Sequence, residues 1–430
     1  MSLEELFQAP PAEYRGAPFW SWNGKLDKDI LKEQIDVFQK MGFGGFHIHS
    51  RIGLATPYLG DEFMDCVKFC NEYGKSLGMR TWLYDEDKWP SGFGGGFVTE
   101  NEDFRARYLL LSPKVYDEVY TERTTPTKGR LTANGVPYLR ARYDVTVRDG
   151  NLVDYRLLSE GEEAQNPWYA YEVIGAKLPW FNNQAYVDVL NPEATKKFVQ
   201  TVHARYKEVL GEEFGKTVPA IFTDEPQFTR LQPMENGATG SEGSIPYSKN
   251  MDEDFQKTYG YSLLEKLPEV FWELADGHLS QAKYHCHNYL AERYTNSFCA
   301  VVGAWCEENG IMFSGHLMNE HLMEEQSMFI GEAMRAYPHF HLPGIDMLAG
   351  FLEYDTAKQV QSVVRQEGKV GAISELYGVT NWDYSFAGHK LQGDWQAALG
   401  VTVRVPHLSW MSMGGESKRD YPAPIDSHSP

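Results

Sequence analysis

Cysteine, basic charge and long apolar runs are what this chain is short of, and each shortage closes off a class of protein. It has five cysteines in 430 residues, an odd set without a CxxC pair. That excludes a disulfide framework and a thiol redox motif, and Cys66 and Cys70, four residues apart on an expected helix, read as reduced thiols on one face. Lys and Arg number 40 against 60 Asp and Glu, a formal net charge of -20. Such a surface repels phosphate backbones and anionic lipid, so nucleic acid and membrane are excluded as partners and a neutral substrate is expected. No apolar stretch approaches the roughly 20 residues of a membrane span. The start, MSLEELFQAP, lacks the basic and apolar regions of a secretory leader, which makes the cytoplasm the expected location. No phosphate-cradling GxxxxGK motif is present either, nor a GxGxxG in a dinucleotide-binding context.

What is present is globular and rich in rings. Apolar residues make up 42% of the chain, charged residues 23% and aromatics 14%, enough for a large core and for aromatic platforms of the kind that grip sugar faces. Eight apolar runs of strand length recur: 18–23, 45–50, 80–86, 220–226, 312–317, 342–347, 371–377 and 404–410. Amphipathic segments lie between them, at 27–41, 62–77, 192–210, 285–309 and 356–367. Alternating strands and helices in this number predict an α/β fold, a (β/α)8 TIM barrel. Residues 1–96 would carry strands 1 to 3 and residues 185–430 the remainder. Between them, 97–184 alternates in β fashion around an Arg-Asp-Gly-Asn turn and predicts an inserted β-rich subdomain on the catalytic face. The stretch 232–247, rich in Gly and Ser, is expected to form an irregular, mobile rim. The chain ends in Ser-His-Ser-Pro without a helical pattern after the eighth run, as an excerpt of a longer protein would.

Acids stand at the ends of several runs. Ile221-Phe-Thr-Asp-Glu-Pro226 stops at a proline, and alternation there puts Glu225 on the side of Thr223, with Asp224 behind it as a support. Gly371-Ala-Ile-Ser-Glu-Leu-Tyr-Gly378 places Glu375 on the side of Ile373 and Tyr377. Two glutamates facing each other across a barrel mouth suit glycosidic bond cleavage, in which one acid protonates the leaving oxygen and one carboxylate attacks or activates water. Glu225 is the expected acid and Glu375 the expected base or nucleophile, with exchanged roles also open; structural ion pairs are the bland alternative. In Trp82-Leu-Tyr-Asp-Glu-Asp-Lys-Trp-Pro-Ser-Gly, Asp85 and Glu86 would bind sugar hydroxyls, contribute a catalytic carboxylate or ligate Ca2+; no other cofactor is required. His47 and His49 face the axis by alternation, as sugar ligands or as a metal pair with His316 and His407 in support, and this second reading makes the chain a metal-dependent hydrolase, lyase or isomerase. A third is a glycan-binding barrel without turnover. Trp20, Trp22, Trp89, Trp382 and Trp410 fall at or beyond strand ends, where they stack on sugars or fill the core.

Taken together, Pro18-Phe-Trp-Ser-Trp-Asn, Asp-Glu-Asp-Lys-Trp-Pro-Ser-Gly, Asp224-Glu225-Pro226 and Ser374-Glu375 resemble the α-L-rhamnosidase-like barrels of glycoside hydrolase family 106. The resemblance spans most of the chain. It implies an inverting hydrolase, often calcium-assisted, acting on terminal L-rhamnose in an oligosaccharide or glycoside, and it implies further β domains after the barrel. Glycoside hydrolase clan A also carries glutamates on strands four and seven, but with Asn before the first of them, where Asp224 stands here.

Overall fold

The computed structural model describes residues 2–117, 135–228, 231–234 and 241–414. Eight parallel strands form a barrel: β1 (Phe19–Trp22), β2 (Gly45–Ser50), β3 (Arg80–Tyr84), β4 (Ala220–Thr223), β5 (Met312–Gly315), β6 (Leu342–Met347), β7 (Ile373–Leu376) and β8 (Val403–Pro406, resuming as Ser409–Trp410). The first half of β8 pairs with β7 and the second half with β1, which closes the sheet. It is the α/β barrel that the eight runs predict.

Helices ring it. Lys28–Lys40 starts where the Asp27 side chain accepts the N–H groups of Asp29 and Ile30, and it buries Leu31, Ile35 and Phe38 along one face. Asn191 caps Pro192–Thr201 in the same way, with proline at the first helical position. Phe386–Ala398, after β7, is a helix the apolar pattern misses, because it buries Gln392, Gly393 and Gln396 rather than an apolar stripe. No described helix is long and apolar enough to cross a membrane.

Strand alternation divides the barrel interior into two storeys. Phe19, Trp82, Tyr84, Ala220, Phe222, Leu342, Ile373 and Val405 form one buried cluster along the axis. Continuing the same parity toward the C-terminal ends brings His49, Asp224, His316, Asp346, Glu375 and His407 inward above it. The opposite parity faces the helices. Trp20 and Trp22 belong to that face, packed edge-on against Phe38, Phe46 and Phe63, so they fill the strand–helix core and do not reach the mouth as sugar platforms.

A second sheet, antiparallel except for one short parallel edge strand, is built from the loops after β3 and β4. Arg107–Ser112, Tyr138–Arg148, Asn151–Leu157 and Pro167–Ile174 come from the first of these loops. The hairpin turns through Asp149 and Gly150, both at positive φ, as a tight twisted hairpin requires. The second loop adds Gly243–Tyr247 and Glu273–Leu274. The expected mobile rim at 232–247 therefore ends as an ordered edge strand, in which Ile245 sits opposite Leu109 and both are fully buried. On its outer side the strand bridges Gln232 through Ser244; Pro246 lies past that bridge, at an edge position where a missing N–H costs no ladder bond. Residues 235–240 of that rim lie outside the described residues.

One glycine controls how near β5 comes to β4. At Gly315, φ is 122°, and a Cβ would stand 2.0 Å from the Thr223 carbonyl oxygen and 2.7 Å from its nitrogen. The next residue, His316, donates its N–H to that carbonyl at 3.2 Å. Gly315→Ala is expected to cost on the order of 3 kcal/mol, since backbone rather than a flexible side chain must yield. Denaturant midpoints of the two proteins check this, and an unchanged midpoint would mean the strands part without penalty.

Candidate active site

The upper storey converges on His316. Its Nε2 lies 3.2 Å from Asp224 Oδ1 and 3.1 Å from Glu375 Oε2, and all three side chains are buried. Burial alone would lower the His316 pKa, but the two carboxylates outweigh it and hold the ring well above its ordinary value, as imidazolium. Asp224 in turn stays below the usual carboxylate range: burial pushes it up, and the hydrogen bond from His316 more than reverses that, helped by the Tyr84 hydroxyl at 2.5 Å and by the charge of Arg51.

Asp224 is thus at the centre of the mouth and not behind it. With Ala220 and Phe222 facing the axis, Asp224 inherits that side, and the expectation that Glu225 continues the inward row is corrected. Glu225 leaves the strand in the left-handed region, at φ 48°, just before Pro226. Partly exposed, it makes no side-chain hydrogen bond among the described residues. Burial, and then the negative charge of Asp224, push its carboxyl up to about 8. Glu375 does lie on the Ile373 side, in register with Asp346 on β6.

Three contributors were not singled out in the sequence. Asp346 faces the same charges; burial and Glu375 hold its carboxyl well above its ordinary value, and its buried Oδ1 has no hydrogen-bond partner among the described residues. Arg51 continues the His47–His49 alternation inward, donating to His49 Nε2 at 3.0 Å and to His407 Nε2 at 3.1 Å, with its guanidinium 4.1 Å over the Trp89 ring. Glu320 is 4% exposed and accepts from Leu317 N–H, Asp346 N–H and the Tyr337 hydroxyl. The acid inside the run 342–347 and the third member of His47-x-His49-x-Arg51 were signals available from alternation; nothing local marked Glu320.

Asp85 and Glu86 are set behind the mouth. Asp85, one residue past inward-facing Tyr84, points outward, accepts from the Ser91 hydroxyl at 2.6 Å and is fully buried, with its carboxyl pushed up to about 8 by that burial. Ser91 also accepts the Asp224 N–H, so this acid braces the loop that holds Asp224. Glu86 fills a nest of backbone donors: Asp87, Gly92, Gly94 and Gly95 all give their N–H groups to its two oxygens at 2.6–3.0 Å. The glycine run after it exists to aim those donors; Gly92, Gly94, Gly95 and Gly96 all have positive φ. A carboxylate so surrounded has no oxygen left for a sugar hydroxyl or for calcium, which needs about six to eight oxygen ligands. Glu86 is thereby closed to calcium, and the Asp85 carboxyl left beside it is too few ligands to hold the ion by itself.

Nor do the histidines make a metal pair. His49 uses both ring nitrogens, on the Ser50 carbonyl and on Arg51. His47 lies a storey lower, bonded to the Ala17 carbonyl and stacked on Trp82, and burial lowers its pKa to about 3, keeping it neutral. Ligand atoms of Asp224, His316 and Glu375 do lie within 4.8 Å of one another. His316, however, presents a proton to both acids rather than a lone pair, so the trio as built is an ion-pair network.

Among the expected aromatics, Trp89 is partly exposed at the mouth, between Arg51 and Trp180. Trp410 is 1% exposed within the axial cluster, which leaves no open face for a sugar. Tyr377, at φ 78°, turns away from Glu375; its ring meets Tyr384 and His389, and its hydroxyl pairs with Arg404. His407 remains at the mouth, its Nε2 3.7 Å from Glu375 Oε1.

No family model matches the sequence, and no curated protein matches it. Among solved structures, a rhamnosidase from Novosphingobium sp. PP1Y superposes with a TM-score of 0.64 at 16% identity, over 96% of this chain and 57% of that one. The likeness is one of fold. This chain therefore spans 57% of the length of that rhamnosidase. The PgaB (BpsB) glycoside hydrolase domain from Bordetella bronchiseptica (TM-score 0.43, 10% identity, 94% of this chain and 97% of that one) and an endo-β-1,4-mannanase from Thermotoga petrophila (0.42, 8%, 92% and 68%) superpose too loosely to add to it.

Several acids here are protonated when folded and ionised when unfolded. Asp85 and Glu225 titrate at about 8 and Glu320 at about 7, against ordinary values of 3.8, 4.5 and 4.5. Between those limits the folded chain holds more protons than the unfolded one, so the stability present below the ordinary values is lost as pH rises toward 8. Buried neutral histidines such as His47 and His203 act in the opposite sense up to their ordinary value of 6.5, so the melting temperature is expected to fall from about pH 6.5 to about pH 8, and Asp85→Asn, which keeps an acceptor for Ser91 but cannot ionise, should flatten the decline. A melting temperature that rises over this range would contradict the assignment of these acids as neutral.

Proposed function

We propose that the protein is a glycoside hydrolase that uses carboxylates at the mouth of its barrel. The observation that carries this reading is a protonated carboxyl beside an ionised one: Glu225, with its pKa raised to about 8, adjoins Asp224, held ionised by His316. Environments that drive neighbouring acids apart supply an acid and a base at one pH. The proton of Glu225 would pass to the glycosidic oxygen as the bond to the anomeric carbon breaks. The carboxylate of Glu375 would either take a proton from the attacking water or bond to the anomeric carbon itself. Tyr84, Arg51 and His316 keep Asp224 charged beside the positive character that develops on the sugar, a stabilisation that is strong because these groups are already oriented. The partly exposed face of Trp89 offers a platform for a sugar ring. A terminal L-rhamnosyl unit of an oligosaccharide or glycoside is the favoured substrate; the sequence motifs and the fold shared with a rhamnosidase support it.

With a nitrophenyl α-L-rhamnoside as substrate, kcat/KM should fall as pH passes about 8 and Glu225 ionises. Glu225→Gln should lose the alkaline limb and about 10²- to 10⁴-fold in rate on substrates with poor leaving groups, but less on the nitrophenyl glycoside. Glu375→Gln should be impaired on both. NMR of the first-formed anomer separates inversion from retention. Full turnover in either variant removes that residue from the mechanism.

A further inference from the structure

Arg51 is 4% exposed and gives both terminal nitrogens to histidines, at 3.0 Å to His49 Nε2 and 3.1 Å to His407 Nε2. A guanidinium only donates, so both imidazole nitrogens must accept, and the proton of each neutral ring resides on Nδ1. On His49 the far side agrees: Nδ1 is 2.6 Å from the Ser50 carbonyl oxygen, which only accepts. On His407 the consequence reaches Glu375. Its Nε2 is 3.7 Å from Glu375 Oε1, and with its lone pair directed to Arg51 it has no proton to give that carboxylate. The other carboxylate oxygen, Oε2, is the one that faces the His316 proton.

We propose that Arg51 is a positioning residue of the active site: by donating to His49 and His407 it fixes both as neutral Nδ1–H tautomers and keeps Glu375 Oε1 free of a histidine proton. The inference rests on Glu375 being the base or nucleophile of the proposed hydrolase. A base whose two oxygens were both hydrogen-bonded to imidazole protons would be weaker, so the tautomer lock keeps one oxygen reactive. Stacking on Trp89 orients the guanidinium plane, and a lysine, a single point charge, cannot span both rings in this fork.

The test is NMR of the full chain with isotope-labelled histidine, together with kinetics on the nitrophenyl rhamnoside, for the parent, Arg51→Met and Arg51→Lys. In the parent, His49 and His407 should both carry the proton on Nδ1. In Arg51→Met the His407 proton should move to Nε2, toward Glu375, and kcat should fall about 10²-fold with KM changed far less; Arg51→Lys should fall between. A parent His407 protonated on Nε2, or a folded Arg51→Met with the parent tautomer or the parent kcat, overturns the inference. If Arg51→Met does not fold, the parent spectrum and the lysine variant decide in the same terms. Full turnover in Glu375→Gln would remove the base assignment without moving any tautomer, so the two failures are distinguishable.

Discussion

The imidazolium of His316, shared between Asp224 and Glu375, is the interaction on which the rest of the mouth depends. Buried carboxylates repel each other, and without a cation between them the cheapest response is for one to take up a proton. His316 removes that option for Asp224, and the neutral state falls to Glu225 and Asp346, whose carboxyls are pushed up by burial first and then by the charges of Asp224 and Glu375 respectively. The division into ionised and neutral acids is therefore a property of the ring of residues and not of any one of them. It also sets a tight geometric demand, since one nitrogen must reach acids on two different strands. Gly315 meets it by letting β5 approach β4 where any side chain would collide.

A second solved problem lies just outside the ring. The loop after β3 must turn sharply with several N–H groups pointing to one spot, and Glu86 occupies that spot with a full set of four donors. Asp85 and Ser91 then tie the same loop to Asp224. Two acids that the sequence offers for sugar, calcium or catalysis thus serve as internal struts.

The barrel was legible because eight strand-length apolar runs and their intervening helices follow directly from hydrophobic period. Glu375 could be placed inward from Ile373 by simple alternation. The same rule misplaced Asp224 and Glu225 because it was anchored at Thr223; the burial of Ala220 and Phe222 along the axis shows where the count begins. Trp20 and Trp22 were ambiguous for a related reason, as alternation says which residues share a face and leaves open whether that face meets the axis or the helices. Glu320 was out of reach altogether, since its partners, Tyr337 and the Asp346 N–H, are brought to it only by folding.

The overlying sheet is drawn from two separate excursions of the chain, after β3 and after β4, with Gly243–Tyr247 laid along the outer edge of Arg107–Ser112. An appendage of this kind is not a cassette. Loss of the second excursion alone would leave both edges of the sheet, at Arg107–Ser112 and Asn151–Leu157, as open strands facing water, so the two excursions complete each other. Variation among relatives should then appear at the tips of these strands, such as the Asp149–Gly150 turn, and not in the presence or absence of the sheet.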